Sequence, residues 1–431
     1  MKKFLSVLLV CLMMASLCGS AFAAPAAEPI TFWTFQAAHQ TFMESAAARW
    51  NETYPDRPIE LQAETLGYDD LHNNLTISLQ SGTGAPDIVD IEIAMYANYI
   101  TGDDPAYIPL VPLNSVVEPE KDVLIMGRFD NYANHGNYYG VDYHVGAAAM
   151  MYNKEIFEEA GVDINAIKTW DEFKEAGKVI REKTGKYIMA VETTEHWTYY
   201  PLLTQQGSDF FDPATGEVIL DNEINIATLE WLLDGVQQDI FVPMPGGFCH
   251  SEEWYAYMNE GNVGAIAVPL WYLNRFTDYM PDLDGKMAVR AMPVWVEGGA
   301  NSAGLGGTGT SVTNQAKNID LCKEFLYFAK MSKEGAIATW TELGFDPLRT
   351  DIYEDPTMTA PNVFTDYFGD DVYAVMDETA PSIAGLSTSN PLYPTALTLV
   401  QKTVMFEVLS EQSKTPAESL KAAADELRAL Q

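Results

Sequence analysis

Cysteine, histidine and basic residues are scarce in this chain of 431 residues, and each scarcity removes a class of function. Of the 4 cysteines, Cys11 and Cys18 fall in the first 23 residues, leaving Cys249 and Cys322. Two cysteines do not make a disulfide scaffold, and the sequence leaves open whether they pair. The six histidines (39, 72, 135, 144, 196 and 250) form no H-E-x-x-H and no tight cluster with carboxylates, so no metal site is expected. A G-x-S-x-G elbow and a Walker loop are both missing, so no catalytic residue is nominated and no cofactor is expected. Lys and Arg number 25 against 61 Asp and Glu, a formal charge of −36. Such a field repels phosphate backbones and anionic lipid, which argues against nucleic-acid and membrane-surface roles. Past the N-terminus, no run approaches the ~20 apolar residues that cross a bilayer.

The first 23 residues carry an address. Lys2 and Lys3 supply a positive start, Phe4 to Leu17 an apolar stretch, and Ala21-Phe22-Ala23 an A-x-A cleavage site. Cleavage after Ala23 is expected, with a soluble product outside the cytoplasm, in the periplasm. Lipoprotein anchoring at Cys18 fits less well, because Leu17 stands where a small residue is wanted. The length exceeds what one hydrophobic core usually fills, so two domains are expected.

Strand and helix patterns alternate, which is the signature of an α/β chain. Ile30-Thr31-Phe32-Trp33 reads as a strand, Ala46 to Trp50 as part of a helix, and Pro58 to Leu61 as the next strand. Leu71, Leu75 and Leu79 recur at helical spacing between Asp69 and Ser81, before a strand at Asp87-Ile88-Val89-Asp90-Ile91. Further strands are expected over Gly185–Glu192 and Val263–Val268, and helices over 225–239, 252–259 and 318–329. Thr169-Trp170-Asp171-Glu172 and Thr415-Pro416-Ala417-Glu418 are capping boxes that open helices. Gly304-Leu305-Gly306-Gly307-Thr308-Gly309 matches G-x-G-x-x-G, but a loop precedes it and β-like Thr310 to Thr313 follows. A dinucleotide fingerprint needs a strand before and a helix after. The glycines read instead as a close backbone approach where a side chain would collide.

Aromatic and acidic residues meet in several loops. Sugars offer apolar C–H faces, which rings cover, and hydroxyl rims, which carboxylates and amides bind in fixed directions. Trp33 to Gln36 with His39, Asp90-Ile91-Glu92, Glu195 to Tyr200, and Pro269 to Tyr272 all mix these types. Trp197 and Trp271 sit past strand ends, where open α/β sheets bind ligands.

Several segments carry a family resemblance. They are "SGTGAPDIVD" (81–90), "YGVDYHVGAAAMMYNKEIFEEAGVD" (139–163) with Thr169 to Phe173, "WYAYMNEGNVGAIAVPLW" (254–271), "GGTGTSVTNQAKNIDLCKEFLYF" (306–328) and Gly344 to Arg349. Together they resemble the extracellular solute-binding proteins of sugar ABC transporters, the group that includes maltose-binding protein. The resemblance implies a two-lobed α/β fold of the periplasmic-binding type (type II), with mixed sheets flanked by helices and a hinge. It implies an N-terminal lobe of residues 24–144 plus 309–355, a C-terminal lobe of 145–308 plus 356–431, and crossings near 143–146, 306–310 and 350–356. The 139–163 segment and the Trp170 helix are expected at the crevice. A mono- or oligosaccharide would be clamped there without chemistry, then delivered by the monomer to inner-membrane permease subunits. The resemblance makes Trp271 and Trp197 stacking platforms and Glu195 a hydroxyl acceptor. It aligns Gln36, His39, Asp90 and Glu92 with ligand-facing positions, and Tyr393 more loosely; Gly307 is a further ligand-binding candidate. Asp142-Tyr143-His144 replaces the family's usual Pro or small residue, which would add polar contacts such as Tyr143. Two alternatives stay open at this level: a receptor for another small polar solute, and a secreted glycosidase using two of the many carboxylates.

Overall fold

The β-branched and aromatic run at Ile30 to Trp33 does form a strand, β1 (Glu28–Thr34), followed by β2 (Ile59–Thr65) and β3 (Ile88–Glu92). The computed structural model describes residues 25–431 apart from Asp103 and Asp370, so the expected leader over 1–23 lies outside the described residues. β1 pairs parallel with both β2 and β3, and the helices Ala37–Thr53 and Tyr68–Ser81 make the two crossovers. A short hairpin follows, β4 (Ala133–Asn134) against β5 (Asn137–Tyr138). Its two loop residues, His135 and Gly136, both have positive φ, as the twist of a two-residue hairpin demands.

A second sheet is built from β6 (Ala148–Asn153), β7 (Tyr187–Val191), β8 (Phe241–Pro243), β9 (Val263–Pro269) and β10 (Met287–Ala291), in the order β10-β6-β9-β7-β8. All residues of β6 and β9 are buried, which explains their unbroken apolar sequences. β6 runs antiparallel to β10 and β9, while β7 runs parallel to β9 and β8, so the sheet is mixed. The last strand, β11 (Thr308–Val312), returns to the first sheet and pairs antiparallel with β3, making that sheet mixed as well.

The chain passes between the sheets side by side with itself. Val141 bridges Thr310 and Ala147 bridges Gly304, both antiparallel, so residues 142–146 run beside 305–309. A further passage follows Arg349, which bridges Leu124, and ends before the helix Val363–Phe368, which packs on β10.

Both capping boxes form as read. The Thr169 hydroxyl accepts the Glu172 N–H at 3.2 Å and Glu172 accepts the Thr169 N–H at 3.0 Å; Thr415 and Glu418 repeat the exchange. The helix Trp170–Thr184 does not line a crevice, however. Its apolar stripe packs on β7, and with Lys154–Ala160 it flanks the second sheet, which corrects the expected position. An amphipathic stripe fixes that a helix has a buried side, not which layer covers it. Cys249 and Cys322 are both unpaired and buried, which answers the question left open.

The helix Glu223–Gln237 shows packing overriding propensity. Ala is better than Gly in a helix by about 1 kcal/mol, yet a Cβ at Gly235 would overlap the Phe241 ring on β8. Overpacking costs about 1–3 kcal/mol. Gly235→Ala should therefore lower the unfolding free energy in urea titration, whereas a stabilised variant would show that the ring has room to move.

Candidate functional site

The paired crossings 142–146 and 305–309 are held by buried charge. The Arg128 guanidinium donates to Asp142 at 2.7 Å and to the Gly306 carbonyl at 2.5 Å. Asp142 also accepts from the Tyr132 hydroxyl at 2.6 Å and the Thr308 N–H at 3.1 Å. Burial opposes ionisation of Asp142, but Arg128, His144 and the Tyr132 hydroxyl together hold its carboxyl well below the usual range. Asp346 accepts the Gly146 and Ala147 N–H groups at 3.2 and 2.8 Å; burial pushes its carboxyl up to about 7. The glycines read as a close approach are just that. Gly306 has φ +68° and Gly307 φ +155°, and a Cβ on Gly307 would lie 2.5 Å from the Tyr132 hydroxyl and 2.6 Å from Arg128.

Beneath the crossings lies a second polar centre. Asp90, in the middle of β3, accepts from Thr34 at 2.7 Å, Thr310 at 2.6 Å and Tyr143 at 3.2 Å, and sits 3.1 Å from His39 Nδ1. Lys330 reaches it from a π-helical turn, Tyr327–Met331, donating to Thr310 at 2.7 Å and to the Val141 carbonyl at 2.6 Å. Its ammonium stands 3.4 Å from the Tyr143 ring centroid, and burial lowers its pKa to about 7 against the pull of Asp90 and Asp142. Asp90 and Tyr143 were expected to face ligand, but both are buried with their polar atoms engaged, so they hold the wall from behind. His39 is buried as well, stacked on Tyr143 at 3.8 Å. Gly307 is buried, with its carbonyl accepting the Ile93 N–H at 3.0 Å; its part is the crossing itself. Tyr393, the looser candidate, is buried against Phe210 and Tyr200.

The remaining candidates converge. Trp197 and Trp271 are part-exposed, with ring centroids 5.5 Å apart and planes at 83°. The Trp271 indole donates to the Leu305 carbonyl at 3.1 Å, and a Cβ at Gly306 would come within 3.2 Å of both rings. His250, which the sequence reading passed over, lies parallel to Trp271 at 5.7 Å and edge-on to Trp197. Burial lowers its pKa to about 3, so it is a neutral ring there. His144 and Phe345 continue the aromatic array towards His39. Beside it, part-exposed Glu195 pairs with Lys402 at 3.1 Å. From the first sheet, Glu92 accepts the Ala94 N–H at 2.8 Å and the Tyr68 hydroxyl at 3.3 Å. Loss of water around Glu92 pushes its carboxyl up to about 7, with Asp142 and Glu195 adding repulsion. Gln36 stands part-exposed at the start of the helix Ala37–Thr53. Among the described residues no group of His, Cys, Asp and Glu has the geometry of a metal site.

A family model of bacterial extracellular solute-binding proteins matches residues 34–334. The chain belongs to that family. It is a solute-binding protein and not an enzyme, so the glycosidase alternative falls away. It is 44% identical over 405 residues to the arabinooligosaccharide-binding protein of Halalkalibacterium halodurans, covering 94% of this chain and 89% of the relative. It is 42% identical over 406 residues to the arabinooligosaccharide-binding protein of Bacillus subtilis, covering 93% and 92%. The fold of this solute-binding protein is similar to the galacto-N-biose/lacto-N-biose I-binding protein of Bifidobacterium longum, with a TM-score of 0.76 at 19% identity over 95% and 98% of the two chains. The sugar-binding protein MalE of Xanthomonas citri gives the same TM-score at 15% identity, over 92% and 96%. The two-lobed α/β fold expected from the sequence is therefore the one observed.

A second residue missed in the sequence, Glu192, shapes the loop that presents Glu195 and Trp197. It directly follows β7, fully buried, and accepts the N–H groups of Cys249 at 2.8 Å and Thr198 at 3.2 Å. Burial pushes its carboxyl up to about 7, with Glu195 adding to the push. The folded chain thus holds this proton more tightly than the unfolded one. That contribution to stability is complete below the ordinary carboxyl range and is lost as pH rises through about 7. Glu192→Gln should make the fall in Tm between about pH 4.5 and 7 shallower, while Glu92 and Asp346, shifted the same way, retain part of it. An unchanged slope would exclude Glu192 as a contributor.

Proposed function

We propose that this solute-binding protein captures a short arabinose oligosaccharide and presents it to the permease subunits of an ABC transporter, working in the periplasm as a monomer. The ligand lies between a half of residues 24–144 plus 309–355 and a half of 145–308 plus 356–431, which close about the paired crossings. The observation that carries the sugar reading is the perpendicular, part-exposed pair Trp197–Trp271, with Trp271 bonded to the Leu305 carbonyl and Glu195 close by in the chain. Two indole faces at a right angle suit a bent chain of small rings, each covering one C–H face. Glu195 and Glu92 supply acceptors, and Gln36 an amide, for hydroxyls at the rim. The names of the two relatives above 40% identity narrow the sugar to arabinose oligomers.

Ring stacking contributes about 0.5–1.5 kcal/mol beyond area burial, against the roughly 8 kcal/mol of a micromolar complex. Two such rings therefore tune affinity, while the bulk comes from closing both halves on the ligand, which favours the closed state by differential contact.

Trp271→Ala should weaken binding of arabinotriose at least tenfold in calorimetric titration with the folded state retained. Wild-type affinity in that variant would remove the platform role. In a thermal-shift panel, arabinose oligomers should raise Tm by more than arabinose, maltotriose or lactose, since only a ligand of the folded form stabilises it. A response to maltotriose alone would overturn the arabinose assignment, and a flat panel the sugar reading.

A further inference from the structure

Buried histidines elsewhere in this chain have partners. His39 Nδ1 lies 3.1 Å from Asp90 and His196 Nδ1 3.0 Å from the Gln401 amide. His72 uses both nitrogens, on the Tyr68 carbonyl at 2.8 Å and the Glu92 N–H at 3.2 Å. His144 is as deeply buried, with 5% of its surface open, and differs. Its backbone N–H reaches Asp142 at 3.5 Å, but among the described residues neither ring nitrogen has a hydrogen-bond partner, and Nδ1 is wholly enclosed. A buried polar group without a partner is uncommon, and each instance requires a reason.

Packing alone does not supply one. The His144 ring stands perpendicular to Phe345 at 5.2 Å and tilted by 32° to Trp271 at 6.2 Å, so it neighbours one aromatic from each proposed half. A phenyl ring would make the same contacts and leave no nitrogen unbonded. The Nδ1–Cε1 edge abuts the crossings. A Cβ on Gly146 would lie 3.1 and 3.4 Å from those two atoms, and 2.6 Å from the Leu305 carbonyl oxygen that accepts the Trp271 indole N–H. The imidazole therefore sits beside the Trp271 platform, on the backbone about which the halves close.

The ring is neutral there. Burial lowers its pKa to about 3, and Arg128, His39 and Lys330 push the same way against the pull of Asp142. A neutral imidazole offers one donor and one acceptor. A hydroxyl, which both donates and accepts, suits either tautomer, whereas a carboxylate or an ammonium suits only one nitrogen.

We propose that His144 is a specificity-determining residue of the cleft, its Nε2 taking a hydroxyl of the sugar ring that lies on Trp271. The assignment rests on the cleft reading of the function. It adds a polar contact from the crossing itself, which neither half carries away when the cleft opens. The test joins calorimetry to NMR of protein labelled with nitrogen-15 in its histidine rings, with arabinotriose as the probe. His144→Phe keeps a ring and removes both nitrogens. It should bind arabinotriose at least fivefold more weakly, while its Tm without sugar equals or exceeds that of the wild type, because an unbonded buried nitrogen is gone. In the wild type, the Nε2 resonance that His144→Phe lacks should move on saturation with the sugar. Unchanged affinity in the folded variant overturns the proposal, and so does a stationary Nε2 resonance. A lowered Tm in His144→Phe assigns the nitrogens to the fold and overturns it as well; if the variant does not fold at all, the NMR measurement decides. Wild-type protein that takes up no arabinotriose removes the cleft reading itself, so the two failures are told apart.

Discussion

The buried pair of Arg128 and Asp142 is the constraint on which the architecture turns. It ties residue 142, on the outward crossing, to the Gly306 carbonyl and the Thr308 N–H on the return. Burying two charges costs several kcal/mol per ion before their attraction is counted. Two nitrogens of Arg128, Nε and Nη1, find no acceptor in the protein, so the cost is not fully offset by bonding. The pair is thus a poor device for net stability and a good one for registering one strand against another. The glycine at 307 follows from it, because any side chain there would occupy the space that Arg128, Asp142 and Tyr132 share.

The molecule separates charges that hold its frame from charges left near the cleft. Asp90, Asp142 and Asp346 are spent on hydroxyls, backbone N–H groups, Arg128 and Lys330. Glu92 and Glu195 remain partly exposed, Glu92 held by the Ala94 N–H and the Tyr68 hydroxyl and Glu195 by Lys402. A protonated or weakly tethered carboxyl exchanges partners at small cost, as an acceptor of ligand hydroxyls must.

Local physics was legible in the sequence. The strands β1, β2, β3, β7 and β9, the helices around Leu75 and Leu229, and both capping boxes depend on residues within a few positions of one another. The glycine run was also readable, because a loop before it and β-branched residues after it exclude a nucleotide fold. Burial was not. A polar residue in a strand looks the same whether it faces a cleft or an enclosed lysine, and Lys330 lies 240 positions from Asp90. His250 had no neighbour in sequence to mark it, since the rings it meets, at 197 and 271, come from other strand ends. Glu192 did leave a trace, a carboxylate closing an apolar strand, which is a signal for enclosure rather than for contact with solvent.

The indole N–H of Trp271 is bonded to the returning crossing at Leu305, and Trp197 packs edge-on against Trp271. Both rings follow strand ends of the second sheet. In the proposed opening, the aromatic corner therefore travels as one piece with that sheet, and the opposite half carries away only Gln36 and Glu92. Encounter and retention then become separate duties: an arriving sugar docks on a surface already assembled, and the departing half decides merely how long it stays.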